Sequence, residues 1–430
     1  MTAYRLRLSL PEQIPPGLAR TTFYWTAQGR SSFGSTYGPR LGGLGPVPPP
    51  NVDFVRIATA VFAADRTEPR QFGGSNWNQR DLELTIPVGK VDRWEPLTDR
   101  LATLFGFLTG DHWTFRFVAA RSAREPIAST LLPPQRVVLL SGGADSAIGA
   151  LLSRSQLKDA ESHTLVSHVG LTNLAPIQRH VASQIEALTP GPGQRHLQVA
   201  FGRRQKQPDG TSFGRGEPSS RSRSALFLAF GLAVASIDGV PLWIPENGFA
   251  SLNPPLGPER RGSLSTRTTH PAFLQGLSDI LRQAGAHADI TNPLADMTKG
   301  QMFTMAANLT DPTAASILLS STHSCGLTGQ RNFHVSTSQQ CGVCFGCVIR
   351  RASFVASGIS DQSSYVDPSR DPGLPGWLAK KSVEPSVRDF VRRGIRAADI
   401  AALSLPPGYP AREALRLCQE AQTELATLFS

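Results

Sequence analysis

The run Arg136 to Ser146, RVVLLSGGADS, constrains this chain more than any other stretch. Val137, Val138, Leu139 and Leu140 form an unbroken aliphatic and β-branched segment, the composition of a strand buried on both faces of a parallel sheet. The chain must then turn sharply. Gly142 and Gly143 permit dihedrals closed to other residues and let an anion approach the backbone. A helix follows through Ala147, Ile148, Ala150, Leu151 and Leu152, with Asp145 or Ser146 expected to cap it. Backbone N–H groups at such a helix start favour negative charge. Each charge gains only about 0.3–1 kcal/mol there when exposed, so the hydroxyls of Ser141 and Ser146, several amides and a bound Mg²⁺ must act together to hold a phosphate chain. An ordinary capped strand-to-helix turn has much the same composition.

The loop is not a Walker motif, which would end in Gly-Lys-Ser or Gly-Lys-Thr; here Ala144 precedes Asp145. Its spacing, Ser-Gly-Gly-x-Asp-Ser after an apolar strand, resembles the PP-loop of the N-type ATP pyrophosphatases. That resemblance implies cleavage of ATP between its α and β phosphates to adenylate a substrate oxygen. Pyrophosphate leaves, and a nitrogen or sulfur nucleophile completes the reaction.

Cysteine spacing supplies the second signal. Of 5 cysteines, Cys341, Cys344 and Cys347 form one C-x-x-C-x-x-C run, Cys325 lies shortly before it, and Cys418 stands apart. Gly342 and Gly346 permit a tight knuckle, and a closed set of four thiolates is the pattern of structural zinc. Thiolates at this spacing also suit an iron–sulfur cluster. Disulfides fit least well in a chain with no secretion signal. Cys418 reads as a small core residue.

Between these motifs, His163–Gly170, Arg195–Phe201 and Val240–Pro245 read as strands, and Pro176–Leu188, Ser222–Ile237 and Pro271–Ala284 as helices. Such alternation implies an α/β fold with a parallel sheet, whose ligands sit beyond the carboxyl ends of the strands. Glu246 and Asn247 follow one strand at that edge. A carboxylate accepts hydrogen bonds from a purine-like amine and imino group, while an amide both donates and accepts. Asn-Gly also favours a turn irrespective of ligand.

The PP-loop, then Pro293, Leu294, Thr298 and Lys299, then Cys325 and CGVCFGCVIRRASF, resemble in order and spacing the 7-cyano-7-deazaguanine synthase (QueC) family over roughly residues 134 to 358. The resemblance implies adenylation of the carboxylate of 7-carboxy-7-deazaguanine and its conversion by ammonia, with a Cys₄ zinc as a structural element. By motif, Ser141, Gly142, Gly143, Asp145 and Ser146 would bind ATP. Arg223 lies where the family has a helix start next to the nucleotide. Lys299 matches a family lysine near the phosphates, where a point charge could follow a departing pyrophosphate; a solvated lysine at a helix start is the plainer reading. Asp145 and Lys299 are the expected catalytic residues, with Cys325, Cys341, Cys344 and Cys347 as the Zn²⁺ ligands.

The chain departs from that family after Val240–Pro245, where PENGFASLNPPLGPERRGSLSTRTTHP groups Arg260, Arg261, Arg267 and His270; Arg267 joins Glu246 and Asn247 as a substrate candidate. Two further regions flank the PP-loop domain, expected at residues 131–360. Residues 1–130 read as an α+β accessory domain with strands at Tyr4–Leu10, Asp81–Val88 and Trp113–Ala119, a helix or buried strand at Val52–Ala64, and an extended Gly/Pro-rich connector from Gln28 to Pro50. Residues 361–430 read as a helical extension with amphipathic segments Pro385–Ala402 and Ala411–Leu428. The extended architecture resembles QueC-like proteins of bacterial anti-phage operons, which makes the amino group of a partner protein an alternative acceptor to ammonia.

A length of 430 residues with 40% hydrophobic residues suffices for two or three domains. With no apolar run near about 18 residues and no charged-then-apolar leader, a cytoplasmic protein without a membrane span is expected. The net charge of +10 allows nucleic-acid binding. Arg203, Arg204, Arg215, Arg221 and Arg223 are instead expected around the ATP cleft. A tRNA-modifying PP-loop enzyme that carries out thiolation and a non-catalytic nucleotide sensor are the competing readings.

Overall fold

The computed structural model describes residues 1–70, 78–129, 133–170, 174–218, 221–256, 267–327, 336 and 338–430. Its strands are β1 (Thr2–Arg7), β2 (Thr22–Tyr24), β3 (Phe33–Ser35), β4 (Asp81–Val88), β5 (His112–Ala119), β6 (Arg136–Leu139), β7 (Ser162–Val169), β8 (Gly193–Arg203), β9 (Leu242–Trp243) and β10 (Ile290–Thr291). They form a four-stranded sheet in the order β2-β1-β4-β5 and a six-stranded sheet in the order β10-β9-β6-β7-β8-β3. Every pairing is parallel except that of β3 with β8.

The central position of β6 explains its composition. Val137, Val138 and Leu139 are all buried, because helices cover both faces of the sheet. The helix Arg223–Asp238 lies on one face and Ala144–Ser155 on the other, each joining a different apolar cluster. Strand β4 alternates more clearly over its first residues, with Leu82, Leu84 and Ile86 inward.

Val52–Ala64 proves to be part of a helix, Pro49–Thr67, with prolines in its first turn. Nearly all its residues are buried, because it runs between the two sheets and packs on Arg223–Asp238. One apolar core therefore spans both sheets, with Leu6, Leu84 and Val61 in the same cluster as Phe201 and Phe230.

Three local features differ from expectation. The Gln28–Pro50 stretch is not simply a connector: its Phe33–Ser35 forms β3, the antiparallel edge of the six-stranded sheet, and Phe33 packs 5.0 Å from Phe201, centroid to centroid. The Val240–Pro245 strand shortens to Leu242–Trp243. The Pro385–Ala402 segment splits into helices Glu384–Arg393 and Ala397–Ala401, because Gly394 adopts φ +74° and ends the first. The last helix, Ala411–Thr427, buries Cys418 in an apolar cluster with Phe249 and Val348. No described helix is long and apolar enough to cross a membrane.

Candidate functional site

A cavity of about 430 Å³ opens past the carboxyl ends of β6, β7 and β9. It is lined by Ser141, Gly143, Asp145 and Ser146 of the glycine loop, by Glu246 and Asn247 after β9, by Arg223 and Lys299, and by Ser324 and Phe345 beside the cysteine cluster. Residues far apart in sequence thus meet at one surface. The fold explains why: all but Ser324, which follows the helix Pro312–Ser321, come just after a strand end or at a helix start beside the same edge of the sheet.

The loop geometry depends on Gly142, whose φ of +91° disfavours any other residue. A proton count then fixes the serines. The Ser146 hydroxyl donates to the Gly143 carbonyl (2.9 Å) and accepts from the Ser141 backbone N–H (3.2 Å). Its single hydrogen is thereby used, so at 3.0 Å the Ser141 hydroxyl is the donor to Ser146. Neither Asp145 nor Ser146 caps the helix as expected. Ala144–Ser155 starts with Gly143 in the capping position and no side-chain cap, because Ser146 is tied back to the loop and Asp145 turns toward Lys299. The first helical N–H groups are left without that partner, as an anion site needs.

Asp145 is held through both carboxylate oxygens. Its Oδ1 lies 2.6 Å from Lys299 Nζ, and its Oδ2 accepts a 2.8 Å hydrogen bond from Asn247 Nδ2. Burial opposes ionisation, but the Lys299 charge and hydrogen bonding outweigh it and hold this carboxyl well below the usual carboxylate range. Lys299 is therefore paired rather than freely solvated. It opens the helix Lys299–Leu309, which Thr298 and Gln301 cap reciprocally.

Asn247 serves both readings made of it. Its Oδ1 accepts from Ala250 N (2.9 Å) and caps the short helix Gly248–Leu252, as a turn former would. Its Nδ2 bridges Asp145 and Glu246 Oε1, the latter at 3.1 Å. Asn292, which sequence reasoning missed, holds Glu246 by accepting from its N–H (3.1 Å) and donating to its carbonyl (2.8 Å).

His168 was also missed. It lines the cavity, and its Nε2 lies 2.9 Å from the Phe201 carbonyl. A carbonyl only accepts, so Nε2 carries the proton. Burial pushes the imidazole down to about 4, which keeps it neutral with Nδ1 as an acceptor.

Arg267 stacks on Phe107, its guanidinium 4.6 Å from the ring centroid, while the following Thr268 and Thr269 line the cavity. Of the arginines expected around the cleft, Arg223 alone lines it. Arg221 donates to the Thr109 carbonyl at 2.7 Å and Arg203 stacks over Phe213, so both are engaged away from the cavity. Arg260 and Arg261 lie outside the described residues.

Cys325, Cys341, Cys344 and Cys347 are buried, unbridged, and hold their sulfur atoms within 4.8 Å of one another. Cys341 and Cys347 Sγ are 3.8 Å apart, close to the about 3.8 Å edge of a tetrahedron built on a Zn–S bond of about 2.3 Å. Backbone N–H groups of Cys341, Cys344 and Gly326 point at the sulfurs, as thiolates require. This donor set can bind a metal ion and is compatible with zinc. At Gly346 a Cβ would stand 2.1 Å from the Ser324 carbonyl, so the knuckle closes only around a glycine.

A parallel α/β sheet with this loop at its central strand defines a PP-loop nucleotide-binding fold. Comparison with known families makes the class narrower. Residues 268–358 match the family model described as queuosine biosynthesis protein QueC. A 7-cyano-7-deazaguanine synthase of Cupriavidus necator is 26% identical over 249 residues, which are 53% of this chain and 96% of that protein. The synthase of Dechloromonas aromatica is 26% identical over 247 residues, 53% of this chain and 97% of its own. The chain is a QueC-like PP-loop protein in which about half the residues lie outside the two synthase alignments.

Proposed function

We propose that this protein is an ATP-dependent ligase that adenylates the carboxylate of a 7-deazaguanine acid and passes the acyl group to an amine. The observation that carries this reading is the convergence, in one cavity, of the uncapped glycine loop, the cations Lys299 and Arg223, and the polar pair Glu246 and Asn247. Likeness to 7-cyano-7-deazaguanine synthases supports the choice of acid.

In this reading the loop from Ser141 to Ser146 holds the triphosphate, with Gly142 and Gly143 giving it close access to the backbone. Asp145 would hold Mg²⁺, which when bound neutralises phosphate charge. A carboxylate oxygen of the acid bonds to the α-phosphorus as the bond to the bridging oxygen breaks, and that electron pair leaves with pyrophosphate. Lys299 and Arg223 stabilise the charge that develops there. The amine nitrogen then bonds to the acyl carbon, loses a proton, and AMP departs with the former carboxylate oxygen. Glu246 and Asn247 read the edge of the base, while Arg267, stacked on Phe107 outside the cavity lining, holds the start of the segment whose Thr268 and Thr269 line it. The four cysteines would hold Zn²⁺ and close the wall at Ser324 and Phe345.

The acceptor is ammonia or the amino group of a partner protein; the half of the chain outside the relatives' alignments, together with the resemblance to proteins of anti-phage operons, motivates the second. Purified protein incubated with ATP and 7-carboxy-7-deazaguanine should release pyrophosphate only when both are present, and AMP once an amine is added. Mass spectrometry with and without ammonium, and of co-expressed neighbouring proteins, identifies the acceptor. Pyrophosphate release no greater than in the acid-free control would overturn the reading.

A further inference from the structure

We infer that Asp65 and Glu424, each far outside the segment matched by the family model, are positioning residues that hold the helix starts carrying Arg223 and Lys299. The inference rests on the function proposed above and extends it to regions without a counterpart in residues 268–358.

The first arrangement begins with a helix that lacks its own cap. Ser222 occupies the capping position of Arg223–Asp238 but makes no side-chain capping bond. Asp65, from the helix between the sheets, takes that role: its Oδ2 accepts from Ser222 N (3.0 Å) and Ser222 Oγ (2.7 Å). A carboxylate here satisfies a helix-start donor and complements the helix dipole. Its other oxygen is held by Arg80 at 2.6 Å and Arg70 at 3.3 Å, and both arginines reach Asp111. Burial opposes the charge on Asp65, yet Arg80 and Arg70 keep it ionised. The preceding segment is clamped from the same side, with Arg66 donating to the Glu217 carbonyl at 2.7 Å and Arg221 to that of Thr109. The cavity cation Arg223 is the residue immediately after this clamp.

Glu424, from the C-terminal helix, braces a second helix start, one that Thr298 and Gln301 already cap. Its Oε2 accepts from Gly300 N at 3.0 Å, and its Oε1 accepts from the Thr298 hydroxyl. Lys299 stands between those two residues and reaches Asp145. Nothing in a merely packed extension requires two acidic side chains to end on the backbone flanking two cavity cations.

The test is a double-mutant cycle read by calorimetric binding of α,β-methylene-ATP, which needs neither the acid nor turnover. Asp65→Asn in the full chain should weaken binding about tenfold, the loss expected for hydrogen bonds to a charged group. Ser222→Ala, which keeps the buried charges intact, should weaken it about fivefold and provides the comparison should Asp65→Asn not fold. In an Arg223→Ala background neither change should matter further. Glu424→Gln is measured in the same way against Lys299→Ala. Unchanged affinity in both Ser222→Ala and Glu424→Gln, or equal losses with and without the cation, would overturn the inference. A wild-type protein that does not bind the analogue would instead overturn the proposed function.

Discussion

Lys299 and Asp145 are close enough that neither can be changed without exposing the other as an uncompensated charge. Lys299→Ala should therefore lower pyrophosphate release about 100-fold, as expected on losing a cation that stabilises developing charge. Lys299→Arg should restore little, because a planar fork does not replace a compact ammonium in this geometry. The pair also sets a pH dependence. The folded-state pKa of Asp145 lies below its unfolded value, so the stabilisation is fully present above about pH 4 and is lost as acid protonates the folded carboxylate. Chemical denaturation at pH 5 and pH 3 should show a loss in the wild type that is smaller in Asp145→Asn. An equal loss in both would remove the pair from the explanation.

At the scale of elements, β3 ties the first 130 residues to the six-stranded sheet through Phe33, which is only 2% exposed. Phe33→Ala should destabilise the protein by about 3–5 kcal/mol in urea unfolding, whereas a loosely tethered segment would lose well under 1 kcal/mol. This strand also shows where sequence reasoning runs out. Phe-Gly-Ser is too short to display a period of two and sits among glycines and prolines, so only its partner β8 reveals it. The β6 loop was legible, because an apolar run, two glycines and a helix start are contiguous. So was the cysteine cluster, through its spacing. Asn292 and His168 were not, since their roles depend on partners brought close by the fold. Asp65 was hidden for a related reason: an acid within a buried helix resembles an ordinary surface charge until Arg70, Arg80 and Ser222 surround it.

Across the whole molecule, burial pushes His163, His168, His196 and His270 down to about 4. Their folded pKa values lie below the ordinary 6.5 or so, so the unfolded chain binds more protons between those limits. Stability should be fully present above about pH 6.5 and fall progressively toward pH 4, visible by scanning calorimetry as a declining unfolding midpoint. His163→Gln should flatten that decline; a midpoint independent of pH in this window would show the imidazoles to be accessible. The cysteine knuckle acts at the same scale, because it lies between the cavity wall and the C-terminal helices. Metal analysis should find one zinc per chain, and chelation should lower the unfolding midpoint, as expected of a structural site. Iron with a visible absorption band would point to a cluster instead.

The most direct measurement is a crystal structure of the protein soaked with α,β-methylene-ATP and Mg²⁺. The triphosphate should lie along Ser141 to Ser146, with Lys299 and Arg223 within contact distance and the base in the cavity beside His168. A nucleotide bound elsewhere, or a cavity still empty at saturating analogue, would contradict the assignment of this loop to ATP.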